Sequence, residues 1–319
     1  MGSIGQRHLE NLRMLHPAGK IYVVSSTGAN KSLPEYADRV MCLDELLSCK
    51  PQYVIVASPA PYHVSMAENL LLHNIPVLIE KPLAHNLHSC LSSKELFNKT
   101  NLNKVAVGYC LRFLTSAQVV KKCIEGDCLG KIYNVNAKVG QYLPDWRSDK
   151  DYRDSVSADT NLGGGALLEL SHEIDYLYWL LGDLHLQHSW LRTTDELGLG
   201  VEDIVNLNFS NKNDTYISLH MDFIQKSTQR ECEFVGEHGR LVWNLMENSV
   251  IFYNREGENV FYSEPDYNKN EMYIKMLTQF ESLITGMGSG GDLASIDSAI
   301  EVMKLVEQAK QENKWRLQI

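Results

Sequence analysis

The sequence predicts an α/β protein of two domains. The first is built on a parallel sheet with helices on both faces, the second on an open, mainly antiparallel sheet. Three observations predict it. The 319 residues are about twice the roughly 150 of an average domain. Up to residue 113, short continuous apolar runs alternate with amphipathic stretches, the pattern of parallel strands buried on both sides. Past residue 216, apolar residues alternate singly with polar ones, as in a sheet with one wet face. The expected domains are 1–113 and 114–319, with the last helix packing back on the first domain.

In order along the chain, 21–25 reads as a strand, 53–57 is a β-branched run that ends at Ser58 and Pro59, and 77–79 and 105–109 are two more. Helical spacing joins Leu9, Leu12 and Leu15, then Val64, Ala67, Leu70 and Leu71, then Leu87, Leu91 and Leu96. Past Thr115 a helix over 117–125 leads to a polar, aromatic stretch, 141–153. Gly163, Gly164 and Gly165 follow, with a helix expected to run through Leu181. In the next segment Ile217, Leu219, Met221 and Phe223 share one face, and Ser218, His220 and Asp222 the other. Strands at 231–235, 240–245 and 250–253 come next, with Gly236 and Gly239 at the turns. Helices over 272–284 and 294–311 close the chain.

Composition excludes several classes. Hydrophobic residues at 44% and charged residues at 22% match ordinary globular proteins and exclude a disordered chain. Acids outnumber bases 40 to 30, for a net charge of −10, whereas a nucleic-acid surface needs clustered Lys and Arg. No apolar run approaches the roughly 18 residues of a membrane span, and the start has no signal-peptide form. Seven scattered cysteines with no C-x-x-C pair predict reduced thiols in a cytoplasmic protein. His185 and His188 make an H-x-x-H without further ligands, so no metal is expected.

Two motifs carry chemistry. Gly2, Ser3, Ile4 and Gly5 open a helix whose first-turn N–H groups suit an anion. They fit the last two glycine places of a G-x-G-x-x-G dinucleotide loop, and Ser25 and Ser26 end a strand about 20 residues on, where a ribose is recognised. The motif's first glycine and the strand before it are not in the sequence, so the expectation is either an in-frame β-branched strand encoded upstream of Met1 or a product that folds poorly and binds cofactor weakly. Second, Glu80 and Lys81 follow a strand and so stand at the carboxyl edge of the sheet, where α/β ligands bind.

GSIGQRHLENL at the start, ASPAPYH at 57–63, EKPLA at 80–84, GYCLRF at 108–113 and GGGALLELSHEID at 163–175 recur in that order. With them the chain resembles the Gfo/Idh/MocA oxidoreductases over nearly its whole length. The resemblance implies an N-terminal Rossmann domain, a C-terminal domain on an open sheet, a nicotinamide cofactor between them and a sugar-like substrate. It also implies a homodimer or homotetramer. By motif, Lys81 is the lysine that contacts the substrate hydroxyl and His172 the acid/base. Gly2, Ser3, Ile4, Gly5, Ser25, Ser26, Ser58, Pro59, His63, Glu80 and Lys81 are the cofactor side. Arg112 and Asp175 are placed with the substrate. The family's Asp stands four residues before its His; here Leu168 has that place and Glu169 lies three before. Glu169 and His172 are one helical turn apart and can share a face, as a working pair or with Glu169 and Glu173 as ordinary helix acids. Trp146 and Arg147 sit in a loop suited to stacking on a sugar or bonding its substituents, and Trp146 also reads as core.

The leading expectation is an NAD(P)-dependent dehydrogenase or reductase acting on a secondary alcohol of a sugar, nucleotide sugar or polyol. Lys81 polarises the oxygen and His172 moves the proton. Ser25, Ser26 and Thr27, with Lys31 nearby and no Asp or Glu among them, favour NADP over NAD. Two alternatives stay open. One is a non-catalytic dinucleotide-binding relative; the other is an enzyme that uses bound NAD for elimination or glycoside hydrolysis.

Overall fold

The computed structural model describes residues 1–25, 32–99, 104–146 and 151–316. Its first domain opens with helix α1 (Ser3–Leu15), capped by the extended backbone of Gly2. Then come strands β1 (Tyr22–Val24) and β2 (Arg39–Met41), helix α2 (Leu43–Cys49), strand β3 (Val54–Val56) and helix α3 (His63–Leu72). Strand β4 (Val77–Glu80), helix α4 (Leu87–Lys99) and strand β5 (Val105–Gly108) complete it. Every residue of β4 and β5 is buried, as continuous apolar strands between helices must be. All pairings here are parallel, in two sheets, β1–β2 and β3–β4–β5, and no ladder joins β1 to β3 among the described residues.

The second domain begins with helix α5 (Thr115–Glu125) and strand β6 (Ile132–Gly140), followed by helices α6 (Ala166–Glu169) and α7 (His172–Leu181). Strands β7 (Leu184–Arg192), β8 (Ile204–Asn211), β9 (Tyr216–Asp222), β10 (Gln229–Gly236), β11 (Arg240–Asn244), β12 (Ser249–Asn254) and β13 (Gly257–Ser263) come next. Helices α8 (Glu271–Ile284) and α9 (Ile296–Arg316) end the described chain. The eight strands run in the order β13-β12-β11-β10-β6-β9-β8-β7, antiparallel except where β6 meets β9. Val205, Leu207 and Phe209 of β8 point into the core, while Asn206, Asn208 and Ser210 face out. Burying each such side chain contributes about 1.5–3 kcal/mol. Trp243 of β11 is fully buried, donates Nε1–H to Ser116 Oγ at 2.9 Å, and meets Tyr176 of α7 edge-on. Sheet and helices therefore share one core. The domains are joined at a second point, where the Val107 N–H donates to the Ala294 carbonyl at 2.9 Å just before α9.

Two expectations fail. The single helix through Leu181 is two, α6 and α7, broken at Leu170 and Ser171. The Ser171 N–H reaches Leu168 instead of Leu167, tightening the end of α6, and Ser171 then starts a new helix by accepting from Asp175. The seven reduced thiols fail at one pair, since Cys123 and Cys128 form a disulfide. The Cys128 N–H donates to the Cys123 carbonyl and turns the chain back after α5, bringing the two Cα atoms to 5.3 Å.

Candidate active site

The buried strand β4 ends at Glu80, so Lys81 emerges at the carboxyl edge of the parallel sheet. Its Nζ donates to the Glu169 carbonyl at 2.8 Å and to Glu169 Oε1 at 3.3 Å. The break after α6 is what leaves that carbonyl free, because the next turn of helix would otherwise claim it. Lys81 and Glu169 are thus a bridge between domains. This corrects the expectation that Glu169 pairs with His172: the two lie on different helices, so the one-turn spacing does not align them.

His172 is the first residue of α7. Its ring stands edge-on to Tyr109, 5.6 Å between centroids, and Nδ1 is buried with no hydrogen-bond partner. Burial first, then the positive charges of Lys81 and Arg230, push its pKa well below the ordinary range, which keeps the imidazole neutral. Arg230 is itself held by two bonds to the buried Glu173, at 2.6 and 3.1 Å. Glu173 is therefore no solvated helix acid.

On the cofactor side, Gly2 and Ser3 are exposed at the start of α1 and Ile4 and Gly5 half-buried. A Cβ at Gly2 would meet nothing within 4 Å, so a phosphate can approach the helix N-terminus, where the N–H groups and dipole favour an anion. A Cβ at Gly5 would meet Met1 Cγ at 2.9 Å, so the close neighbour is that side chain and not a strand. Ser25 closes β1, its N–H donating to the Met41 carbonyl at 3.2 Å. Ser26, Lys31 and Arg147 lie outside the described residues. Ser58 and Pro59 follow β3 at the same sheet edge.

Two expected cofactor contacts are occupied otherwise. The buried His63 ring lies between the Pro82 carbonyl at Nδ1 (2.8 Å) and the Ser58 carbonyl at Nε2 (2.7 Å). It ties the loops after β3 and β4 together, and burial lowers its pKa. The Glu80 carboxylate is buried against His8 Nε2 of α1 at 2.6 Å and accepts from the Lys81 N–H at 3.2 Å.

The substrate expectations are corrected in the same way. Arg112 Nε and Nη2 donate to the two Asp175 oxygens at 2.9 and 2.6 Å, and Nη2 also reaches Ser298 of α9 at 2.8 Å. Both side chains are buried, so they are spent on each other. Burial raises the Asp175 pKa, and the guanidinium opposes the rise. Trp146 packs edge-on to Phe223, centroids 5.4 Å apart, which satisfies its core reading, and its Nε1 is buried without a partner. Sequence reasoning missed His8, Tyr109 and Arg230. A histidine beside Leu9 on the apolar side of α1 was a signal for the first, and Tyr109 stands inside the GYCLRF motif; Arg230 carries none. Among the described residues no three His, Cys, Asp or Glu gather as a metal site, and no helix is long and apolar enough to cross a membrane.

A glycine-started helix tied to the parallel-sheet edge through His8 and Glu80, and a lysine at that edge held close to a neutral histidine, are the parts a dinucleotide-binding oxidoreductase needs. Comparison with known proteins agrees. A family model described as an oxidoreductase family with an NAD-binding Rossmann fold matches residues 1–109, and the GFO/IDH/MocA C-terminal domain matches 117–242. The chain belongs to the GFO/IDH/MocA oxidoreductase family. Inositol 2-dehydrogenase 2 of Paenarthrobacter aurescens (strain TC1) is 24% identical over 328 residues, covering 97% of this chain and 92% of that one. An inositol 2-dehydrogenase/D-chiro-inositol 3-dehydrogenase of Shouchella clausii (strain KSM-K16) is 28% identical over 190 residues, 57% of this chain and 51% of that one. The solved structure of levoglucosan dehydrogenase with NADH and levoglucosan matches at a TM-score of 0.83 and 17% identity, covering 98% of this chain and 95% of that one. At that identity the likeness is one of fold.

Two outcomes follow from this geometry. Arg112→Ala strands the buried Asp175 carboxyl and should lower unfolding free energy by about 3–5 kcal/mol in urea titrations; a substrate-contacting arginine would instead raise KM at unchanged stability. His172 binds a proton less readily folded than unfolded, so stability is greatest above about pH 6.5 and declines as pH falls below it. The slope that one histidine contributes is at most about 1.4 kcal/mol per pH unit. His63 and His85 act in the same direction. Urea unfolding at pH 7.5 and 5.0 should show a smaller acid loss for His172→Asn than for the wild-type chain, and an equal loss would contradict the depressed pKa.

Proposed function

We propose that the protein is an NAD(P)-dependent dehydrogenase or reductase acting on a secondary alcohol of a sugar, nucleotide sugar or polyol. One observation carries the reading: Lys81 from the first domain is held by Glu169 beside a neutral His172 from the second. Relatives named for inositol dehydrogenation, and a fold neighbour solved with NADH and levoglucosan, support the substrate class.

The N–H groups at Gly2, Ser3, Ile4 and Gly5 would hold the pyrophosphate, and Ser25, Ser58 and Pro59 would line the rest of the dinucleotide site. When bound, the nicotinamide supplies or accepts the hydride. An ammonium has three N–H donors, and Lys81 spends two on Glu169. Its third is available to the substrate hydroxyl oxygen, which it orients and polarises. His172, uncharged and with no partner at Nδ1 to fix its tautomer, takes the hydroxyl proton on a ring nitrogen in oxidation and returns it in reduction. Glu169 is a positioning residue for Lys81 in this scheme. The outward polar face of the eight-stranded sheet, with Asn206, Ser218 and His220, is where a second copy would pack in a homodimer or homotetramer.

Lys81→Met and His172→Ala should each keep the fold and dinucleotide affinity while cutting turnover by roughly 10²–10⁴-fold. Glu169→Gln should cost less, because its backbone carbonyl still accepts from Lys81. Steady-state kinetics on a substrate found by screening inositols, anhydrosugars and nucleotide sugars, with unfolding curves beside them, read this out. A stable His172→Ala enzyme with unchanged turnover from pH 6 to 9 removes that residue from the mechanism.

On cofactor choice, β1 ends at Val24 and Ser25 with no carboxylate to bind a ribose diol and repel a 2′-phosphate. NADP is accordingly expected to bind more tightly than NAD in fluorescence titrations. NAD binding at least tenfold tighter, about 1.4 kcal/mol, would reverse the assignment.

A further inference from the structure

We infer that His8 is a positioning residue for Lys81, acting through Glu80, so that the phosphate-binding helix and the reactive lysine move as one body. The inference rests on the function proposed above. His8 lies three residues after Gly5 on α1 and is buried, as is Glu80 at the end of β4. Its Nε2–H donates to Glu80 Oε1 at 2.6 Å, while Glu80 Oε2 accepts the Lys81 backbone N–H at 3.2 Å. The carboxylate therefore spans the two groups with one oxygen each.

The surroundings are shaped for this carboxylate. Gly108, beside Glu80 on β5, leaves it room: a Cβ there would stand 3.2 Å from Oε1 and 3.3 Å from Cδ. A buried charged group is costly unless its bonds are made, and an apolar pair would pack α1 on β4 equally well. What the polar pair adds is direction, since each carboxylate oxygen addresses its own donor, Oε1 the ring and Oε2 the lysine N–H. Lys81 is then held at two ends, its backbone by Glu80 and its Nζ by Glu169.

The helix that carries His8 is itself clamped. The His8 ring stands edge-on to Tyr273 of α8, with centroids 6.1 Å apart. One turn on, Asn11 and Asn270 exchange two amide hydrogen bonds at 3.1 and 2.6 Å. A shift of α1 at its phosphate end is thus transmitted to the root of Lys81 and not absorbed by slack between helices.

The test compares His8→Leu, which keeps bulk and loses the donor, with His8→Gln, which keeps a donor, in the full chain. Without cofactor or substrate, acetic anhydride labelling read by mass spectrometry should modify Lys81 at least threefold faster in His8→Leu, relative to exposed lysines, and at the wild-type rate in His8→Gln. In turnover, His8→Leu should lose at least tenfold in kcat with KM changed less than threefold, and His8→Gln should recover to within threefold of wild type. Added to Lys81→Met, His8→Leu should cost less than a further twofold, because both act through one group. If His8→Leu does not fold, Glu80→Gln carries the same expectations. Wild-type labelling in His8→Leu, equal impairment in the Leu and Gln variants, or full additivity with Lys81→Met overturns the inference. Unchanged turnover in Lys81→Met overturns the proposed function instead, and labelling still decides the role of His8.

Discussion

Lys81 leaves the end of a fully buried strand, and its ammonium reaches a carbonyl that exists as a free acceptor only because a helix stops there. The rest of the site depends on that contact. An ammonium withdrawn from water needs acceptors in place of the lost hydration, and Glu169 offers two, its backbone oxygen and its carboxylate. The contact joins the carboxyl edge of the parallel sheet to the start of α7, where His172 stands. It also sets electrostatics: the lysine's charge is one of the causes that keep the histidine neutral.

Around this bridge lie buried polar pairs that each link segments distant in sequence. Arg112 ties the end of the first domain to α7 and, through Ser298, to α9. Arg230 of β10 holds Glu173, the residue after His172. His63 spans two sheet-edge loops, and His8 reaches Glu80. Such pairs add less net stability than their short distances suggest, since desolvation offsets much of the attraction. Their value is geometric. A paired charge in a low-dielectric interior has few alternative partners, so the backbone segments carrying it have few alternative placements.

Family membership explains how a fold persists at 17% identity to its neighbour. The two patterns that place the site, continuous apolar strands and a glycine triplet before a helix, constrain residue class more than residue identity. In this chain the acid three residues before the histidine bonds the lysine.

The sequence by itself determined the fold class, most elements, and two of the residues, Lys81 and His172, that the structure brings close together. Buried strands such as β4 and alternating ones such as β9 are written in local pattern, because solvent partition acts on each residue according to its own side chain. Lys81 and His172 were legible for a related reason: each stands in a short motif next to an element boundary. Several elements were passed over. The strands β2 and β13 are short or exposed on nearly every residue, so they carry little apolar signal, whereas the alternation of Val135, Ala137 and Val139 in β6 was there to be read. Partnership was decided by tertiary structure alone. Glu169 bonding Lys81 instead of His172, Arg112 closing on Asp175, Glu80 turning to His8, and Cys123 meeting Cys128 each depend on a helix break, a turn or a crossing between domains. Local spacing names which groups can bond, but burial and distance, set by the whole chain at once, select which of them do.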